Sequence, residues 1–290
     1  MITILSEGDA GAVKAYPCHD PMNASAPDTA ATESLLAFWS DAGVDACFGE
    51  APVDRTHVAP PPPLKAVARA TAAVVARPHT DEAVAEARHL AAAAQTMEEL
   101  AAAIASFTGC PLSGMGATRS VFSRGDASAP VLVVGEAPGI DEDTQGAPFV
   151  GRAGRLLDRM LEAAGLTDRV FITNTVFWHP PGNRSPTPPE QATCAPFLDR
   201  AFALMRPKAV LLVGATASRS VLGTDEGIMR LRGQWQEWRL AEGGFSAPAM
   251  PTLHPAFLLR QPQAKRQVWS DLLALTTRLD QLTDPSTAKL

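Results

Sequence analysis

Between Val131 and Leu157 the chain reads VLVVGEAPGIDEDTQGAPFVGRAGRLL, which sets four carboxylates, Glu136, Asp141, Glu142 and Asp143, within eight residues and an aromatic, Phe149, just beyond them. Acids of this kind can hold a water and stabilise a cation, while the ring offers a stacking face. Further along, Asn174 supplies a carbonyl and an NH2, a donor–acceptor pair suited to the edge of an amide-like ring. His254 precedes Pro255, which keeps its backbone extended. Arg184 sits in a stiff loop, HPPGNRSP, and Arg260, Lys265 and Arg266 follow His254; all could contact phosphates. Singly, each has an ordinary reading: solvated acids, a turn asparagine, a structural histidine, a core phenylalanine, surface charges. Together they suit an everted nucleobase that is stacked, read along its edge and relieved of the charge it carries away.

These residues need elements to position them. Val131–Val134 has the length and β-branching of a buried parallel strand. It breaks into the loop Gly135-Glu136-Ala137-Pro138-Gly139, with two glycines and a proline. Three more apolar runs read as strands: Val170–Thr173, Ala209–Val213 and Ala249–Leu253. Helical patterns lie between them at Arg152–Ala164, Pro189–Met205 and Ala215–Leu222, and a last helix spans about Ala264–Leu282. The expected fold is α/β, a four-stranded, mainly parallel sheet with helices on both faces. Arg230–Leu240 is a candidate antiparallel addition. Each strand ends in a distinctive loop: the glycine–acid loop, Asn174, Gly214-Ala215-Thr216 and His254-Pro255. In a parallel sheet those ends share one rim, so the loops converge.

Composition limits the alternatives. At 290 residues, with 46% hydrophobic and 19% charged residues, the chain suits one or two globular domains. No apolar run reaches membrane-spanning length and the N-terminus lacks a signal-peptide pattern, so a cytoplasmic protein is expected. The net charge of −6 is unevenly spread. Residues 1–100 hold 14 acidic and 6 basic residues, residues 101–290 hold 17 and 19, so the second part is weakly basic and permits a phosphate-binding face. Residues 1–104 read as an acidic, Ala/Pro-rich extension, partly helical and partly disordered, and 105–290 as the catalytic domain. Within the extension, Thr32–Phe48 and Asp81–Ala94 read as helices, Pro60–Pro63 as a spacer, and Thr96-x-x-Glu99 as a capping box. Of Cys18, Cys47, Cys110 and Cys194, none lies within three residues of another, so no structural zinc pair is present.

The motifs also resemble a known family, the family 4 uracil-DNA glycosylases. The matching pieces are Gly135-Glu136-Ala137-Pro138-Gly139-x-x-Glu142-Asp143, Gly146-x-Pro148-Phe149-Val150-Gly151 and Ile172-Thr173-Asn174. They continue with Pro180-Pro181-Gly182-Asn183-Arg184-x-Pro186, Cys194-x-Pro196-Phe197-Leu198 and Thr252-Leu253-His254-Pro255-Ala256-x-Leu258-Leu259-Arg260. The resemblance runs from about Phe107 to Leu275. It implies hydrolysis of the N-glycosidic bond of deoxyuridine in single- or double-stranded DNA. Gly135, Ala137, Pro138 and Gly139 would line the base site, Phe149 would stack on uracil, and Asn174 would bond its N3–O4 edge. His254 would hold O2, and Glu136 or Glu142 would position water, with Glu142 slightly preferred. Arg184, Gly214, Thr216, Pro255, Leu258 and Arg260 would meet the DNA, the loop from Pro255 to Leu259 pressing into the vacated place.

One departure concerns the cofactor. The family typically carries a [4Fe-4S] cluster on four cysteines. The corresponding positions here are Phe107, Cys110, Trp178 and Cys194. Two thiolates do not hold a four-iron cluster well, so no cofactor is expected, the cluster being the disfavoured alternative. A covalently trapping relative carries a Lys-Arg-Arg-Ile-His insert, and the loop Gly182–Pro186 lacks its histidine, so ordinary turnover is expected; a monomer is expected as well. No lysine in the motifs stands ready as a Schiff-base nucleophile. The competing readings are a non-catalytic DNA- or nucleotide-binding protein on the same scaffold and, against the cysteine losses, an iron–sulfur sensor.

Overall fold

The structure, a computed structural model, describes residues 80–240 and 243–283. The expected helix at Thr32–Phe48 and the proline spacer lie outside the described residues. In chain order the elements are helices α1 (Thr80–Ala93) and α2 (Met97–Ser106), strands β1 (Ser123–Gly125) and β2 (Val131–Gly135), helices α3 (Ile140–Gln145) and α4 (Arg152–Ala163), strand β3 (Val170–Asn174), helix α5 (Pro188–Met205), strand β4 (Ala209–Val213), helices α6 (Ala215–Leu222) and α7 (Ile228–Leu231), strands β5 (Gln236–Arg239) and β6 (Ser246–Thr252), and helices α8 (Pro255–Arg260) and α9 (Lys265–Thr283).

The sheet order is β1-β3-β2-β4-β6-β5. The four inner strands run parallel, and β1 and β5 close the edges antiparallel. Every residue of β2, β3 and β4 is buried, as strands covered on both faces must be. Alternation along β2 feeds two cores. Leu132 and Val134 join Leu100, Phe197 and Phe202 on one face, and Val131 and Val133 join Leu157, Leu161 and Leu272 on the other.

The α/β class and parallel core match the expectation, but the sheet has six strands rather than four. The antiparallel addition foreseen in 230–240 is β5, paired with β6. The other edge, β1, is Ser-Arg-Gly and carries no apolar run to signal it. β6 starts at Ser246, three residues before Ala249, because Pro248 and Pro251 disguise a strand. The Pro251 carbonyl accepts the Gly233 N–H at 2.9 Å, so the strand is tied from the side as well.

The boundary expected between residues 104 and 105 falls inside α2. Ala83, Ala87 and Ala91 form a buried stripe at four-residue spacing along α1 and share a core with Phe197 and Ala201 of α5. Small side chains at that spacing let two helices approach closely. Residues 80–104 are therefore built into the same core as the sheet. Thr96 caps α2 as expected, its Oγ1 accepting the Glu99 N–H at 3.1 Å. Among the described residues no helix is long and apolar enough to cross a membrane.

Candidate active site

The carboxyl ends of β2, β3, β4 and β6 deliver Gly135, Asn174, Gly214 and His254 to one rim. Over it opens a cavity of about 440 Å³, lined by Glu136–Gly139, Glu142, Phe149, Arg184, His254 and Arg260, among others. Asn174 lies just behind Gly135. A Cβ added at Gly135 would stand 2.4 Å from Asn174 Oδ1 and 2.5 Å from the Phe149 ring. Only glycine fits where the amide and the ring approach the strand so closely. The Phe149 and His254 rings are 5.7 Å apart, so amide, ring and imidazole form one constellation. Asn174 is 1% exposed, yet among the described residues neither Oδ1 nor Nδ2 has a hydrogen-bond partner. An unpaired buried amide costs about 1–3 kcal/mol, which singles this one out as waiting for a ligand.

The acid loop divides its carboxylates by role. Glu142 accepts N–H bonds from Gly139 at 3.0 Å and from Val150 and Gly151 at 2.9 Å each, stapling α3 to the Phe149 loop. Asp143 is buried and accepts from Thr118 N and Oγ1 and from Arg119 N. Burial alone would raise the Asp143 pKa; the Thr118 and Arg119 donors outweigh it and hold the carboxyl below its ordinary range. Among the described residues no hydrogen bond engages the Glu136 carboxylate, whose backbone carbonyl is fixed by Thr175 Oγ1 at 2.7 Å. Glu142, slightly preferred on sequence, thus has both oxygens committed to backbone N–H groups, whereas Glu136 lines the cavity without such a bond.

His254 is the N-cap of α8. Its Nδ1 accepts the Ala256 N–H at 3.1 Å, which puts the ring proton on Nε2 and leaves a donor for a ligand. Burial pushes its pKa below the ordinary histidine value, against the pull of the Glu136 carboxylate, and Arg260 adds to the lowering. Gly214 (φ 99°) packs its Cα face on this ring; a Cβ there would meet His254 Cβ at 3.1 Å. It is buried and faces the histidine, and its N–H is taken by the Thr252 carbonyl at 2.9 Å. Thr216, in the first turn of α6, is half-buried and does not line the cavity.

Arg184 does line the cavity, but not as a free cation. It makes a bidentate pair with the buried Glu190, at 2.8 and 2.6 Å. That pair, ahead of the opposing effect of burial, holds the Glu190 carboxyl below its usual range. Leu258 does not fit the expected insertion into DNA: it is fully buried among Leu253, Val268 and Leu272. On the same short helix Leu259 is 38% exposed and Arg260 is exposed, while Pro255 is buried at the first turn. Helical periodicity turns one leucine inward and the next outward.

Phe107, Cys110, Trp178 and Cys194 do come together. Both cysteines are buried, with Sγ atoms 3.8 Å apart. The Phe107 ring lies 5.2 Å from Phe197 and 6.3 Å from Trp178. Burial pushes the Cys194 thiol well up, while the contact with Cys194 holds the Cys110 thiol below its ordinary value. Among the described residues no group of three or more His, Cys, Asp or Glu is arranged to hold a metal ion. The residues do not fit an iron–sulfur cube: the two thiols touch each other, and aromatic rings fill the other two corners.

Fold and rim together define a DNA-glycosylase-like α/β domain, and the uracil DNA glycosylase superfamily model matches residues 122–273. The chain belongs to that superfamily, in its type-4 branch. It is similar to the type-4 uracil-DNA glycosylase of Thermotoga maritima, 39% identical over 168 residues, 57% of this chain and 84% of the relative. The enzyme of the same name from Sulfurisphaera tokodaii is 38% identical over 160 residues, covering 53% and 72%. That from Archaeoglobus fulgidus is 36% identical over 159 residues, covering 53% and 79%.

Proposed function

We propose that the protein excises uracil from DNA by hydrolysing the bond between uracil N1 and C1′ of deoxyribose, leaving an abasic site. The observation that carries this reading is the buried, unpartnered amide of Asn174 beside the Phe149 ring and the Nε2–H of His254. In the proposed cycle the base leaves the stack and lies on Phe149 between Glu136 and His254. Asn174 donates to O4 and accepts from N3–H, a pattern that cytosine cannot match. As the C1′–N1 bond breaks, its electron pair goes to uracil, and the charge grows at O2, where the His254 Nε2–H donates. The sugar becomes cationic, and Glu136 stabilises it and orients water. The water oxygen bonds to C1′ and its proton passes to Glu136. Leu259 fills the vacated stack, and Arg260 meets the phosphates.

No step runs through an iron–sulfur cluster. Phe107 and Trp178 do by packing what a cluster would do by ligation, joining the segment before β1, the segment after β3 and α5. We assign the protein to the cytoplasm, acting as a monomer on single- or double-stranded DNA. The test is an oligonucleotide carrying one uracil, incubated with the protein and treated with alkali. Cleavage at U but not at T or C supports the reading. Binding without cleavage would return the protein to the class of non-catalytic binders.

A further inference from the structure

We infer that Arg124, on the edge strand β1, is a positioning residue that holds the stacking ring of Phe149 in place. The inference rests on the reading of Phe149 as the base-stacking face. Phe149 has φ 56°, the left-handed region, where a bulky non-glycine side chain is strained by about 1–3 kcal/mol. Such a conformation persists only where its surroundings over-determine it.

Three groups do so. On the amide side, Glu142 takes the N–H groups of Val150 and Gly151. Beneath the loop, α4 presses Gly154 against the backbone: a Cβ there would lie 1.7 Å from the Phe149 carbonyl oxygen, so no other residue fits. On the carbonyl side stands Arg124, with Arg155 reaching only the next carbonyl, that of Val150, at 3.3 Å. The Arg124 Nε donates to the Pro148 carbonyl at 2.8 Å, and its Nη2 reaches the Phe149 carbonyl at 3.3 Å. The same Nη2 pairs with Asp158, one helical turn after Gly154 on α4. The guanidinium thus ties β1, the strained loop and α4 at one point. Arg124 itself does not line the cavity. Its effect on a bound base must pass through the angle at which Phe149 is presented.

The test is Arg124→Met, which keeps the length of the side chain and removes every donor, beside Arg124→Lys, which keeps one. Three quantities are measured on folded protein: KM for a uracil-containing oligonucleotide, inhibition by free uracil, and affinity for undamaged DNA. Losing a charged hydrogen bond that holds the ring should raise KM and the uracil inhibition constant together by about tenfold. Affinity for undamaged DNA should stay within about twofold, and Arg124→Lys, which keeps the charge but not the fork, should recover only part of the loss. If the wild type releases uracil and both constants in Arg124→Met match it, the inference is overturned. A uniform loss of folding and of all DNA binding, unrelieved by lysine, overturns it too, since Arg124 would then be structural only. Should Arg124→Met not fold, Arg124→Lys decides: unchanged constants overturn the inference, and a partial rise in both upholds it. A wild type that releases no uracil defeats the functional reading itself, and this inference with it.

Discussion

At the scale of the residue, the site is built from groups left deliberately incomplete. His254 is fixed in one tautomer by the Ala256 amide, and its pKa is lowered by burial. The neutral imidazole is therefore the working form. The rate should hold steady on the alkaline side and fall as pH drops through a value below the ordinary ~6.5 for histidine. Stability follows the same sign: below ~6.5 the unfolded chain takes a proton that the folded site refuses, so stability declines with falling pH until the folded pKa is reached. Chemical denaturation across that window, with His254→Gln as the control that abolishes this contribution, checks it. Asn174 makes the opposite contrast between function and stability. Asn174→Ala should slow excision by about 10–100-fold, the worth of a bidentate base-edge contact. It should change stability by less than about 1 kcal/mol, because relief of an unpaired amide offsets the small cavity. Thermal melts beside single-turnover rates measure both. That Asn174 and His254 share one rim was visible in the sequence from their place after strands, while the roles proposed for them came from the family resemblance. That Glu142 is a staple was not visible, because its three partners are backbone amides that carry no sequence signal.

At the scale of the element, the sheet positions the chemistry and short helices finish it. The inner strands are plain in the sequence because burial on both faces demands continuous apolar runs. Two pieces are not: the edge β1 is polar and three residues long, and the start of the inner strand β6 hides behind Pro248. The six-residue helix α8 was equally opaque, since one and a half turns give no periodicity to read. It separates Leu258, buried in the core, from Leu259 at the surface. Leu258→Ala should cost about 2–5 kcal/mol of stability by leaving a core cavity. Leu259→Ala should leave the melting temperature nearly unchanged and slow excision from duplex DNA more than from single strands, where no stack needs filling. Equal effects of the two substitutions on stability would contradict the assignment.

At the scale of the whole molecule, the chain keeps the fold of its superfamily, and aromatic rings stand at two of the four positions where the resemblance implies cluster ligands. Phe107, Phe177 and Phe197 are each fully buried, and with Trp178 they enclose the two touching thiols. Protein purified anaerobically should carry no iron and no iron–sulfur absorbance; about four irons per chain would contradict this. The sequence announced this corner through two missing cysteines, but not that residues 80–104 belong to the same core, because an alanine stripe looks alike in a linker and in a tight helix pair. The central claim is that distant strand ends assemble one pocket that removes uracil. Its most direct measurement is the chromatographic detection of free uracil in a single turnover of a uracil-containing duplex, with Asn174→Ala and His254→Ala run alongside. Stoichiometric release by the wild type, slowed at least tenfold in both variants while DNA affinity is retained, is the predicted result. No free base from the wild type, or undiminished release by either variant, would contradict it.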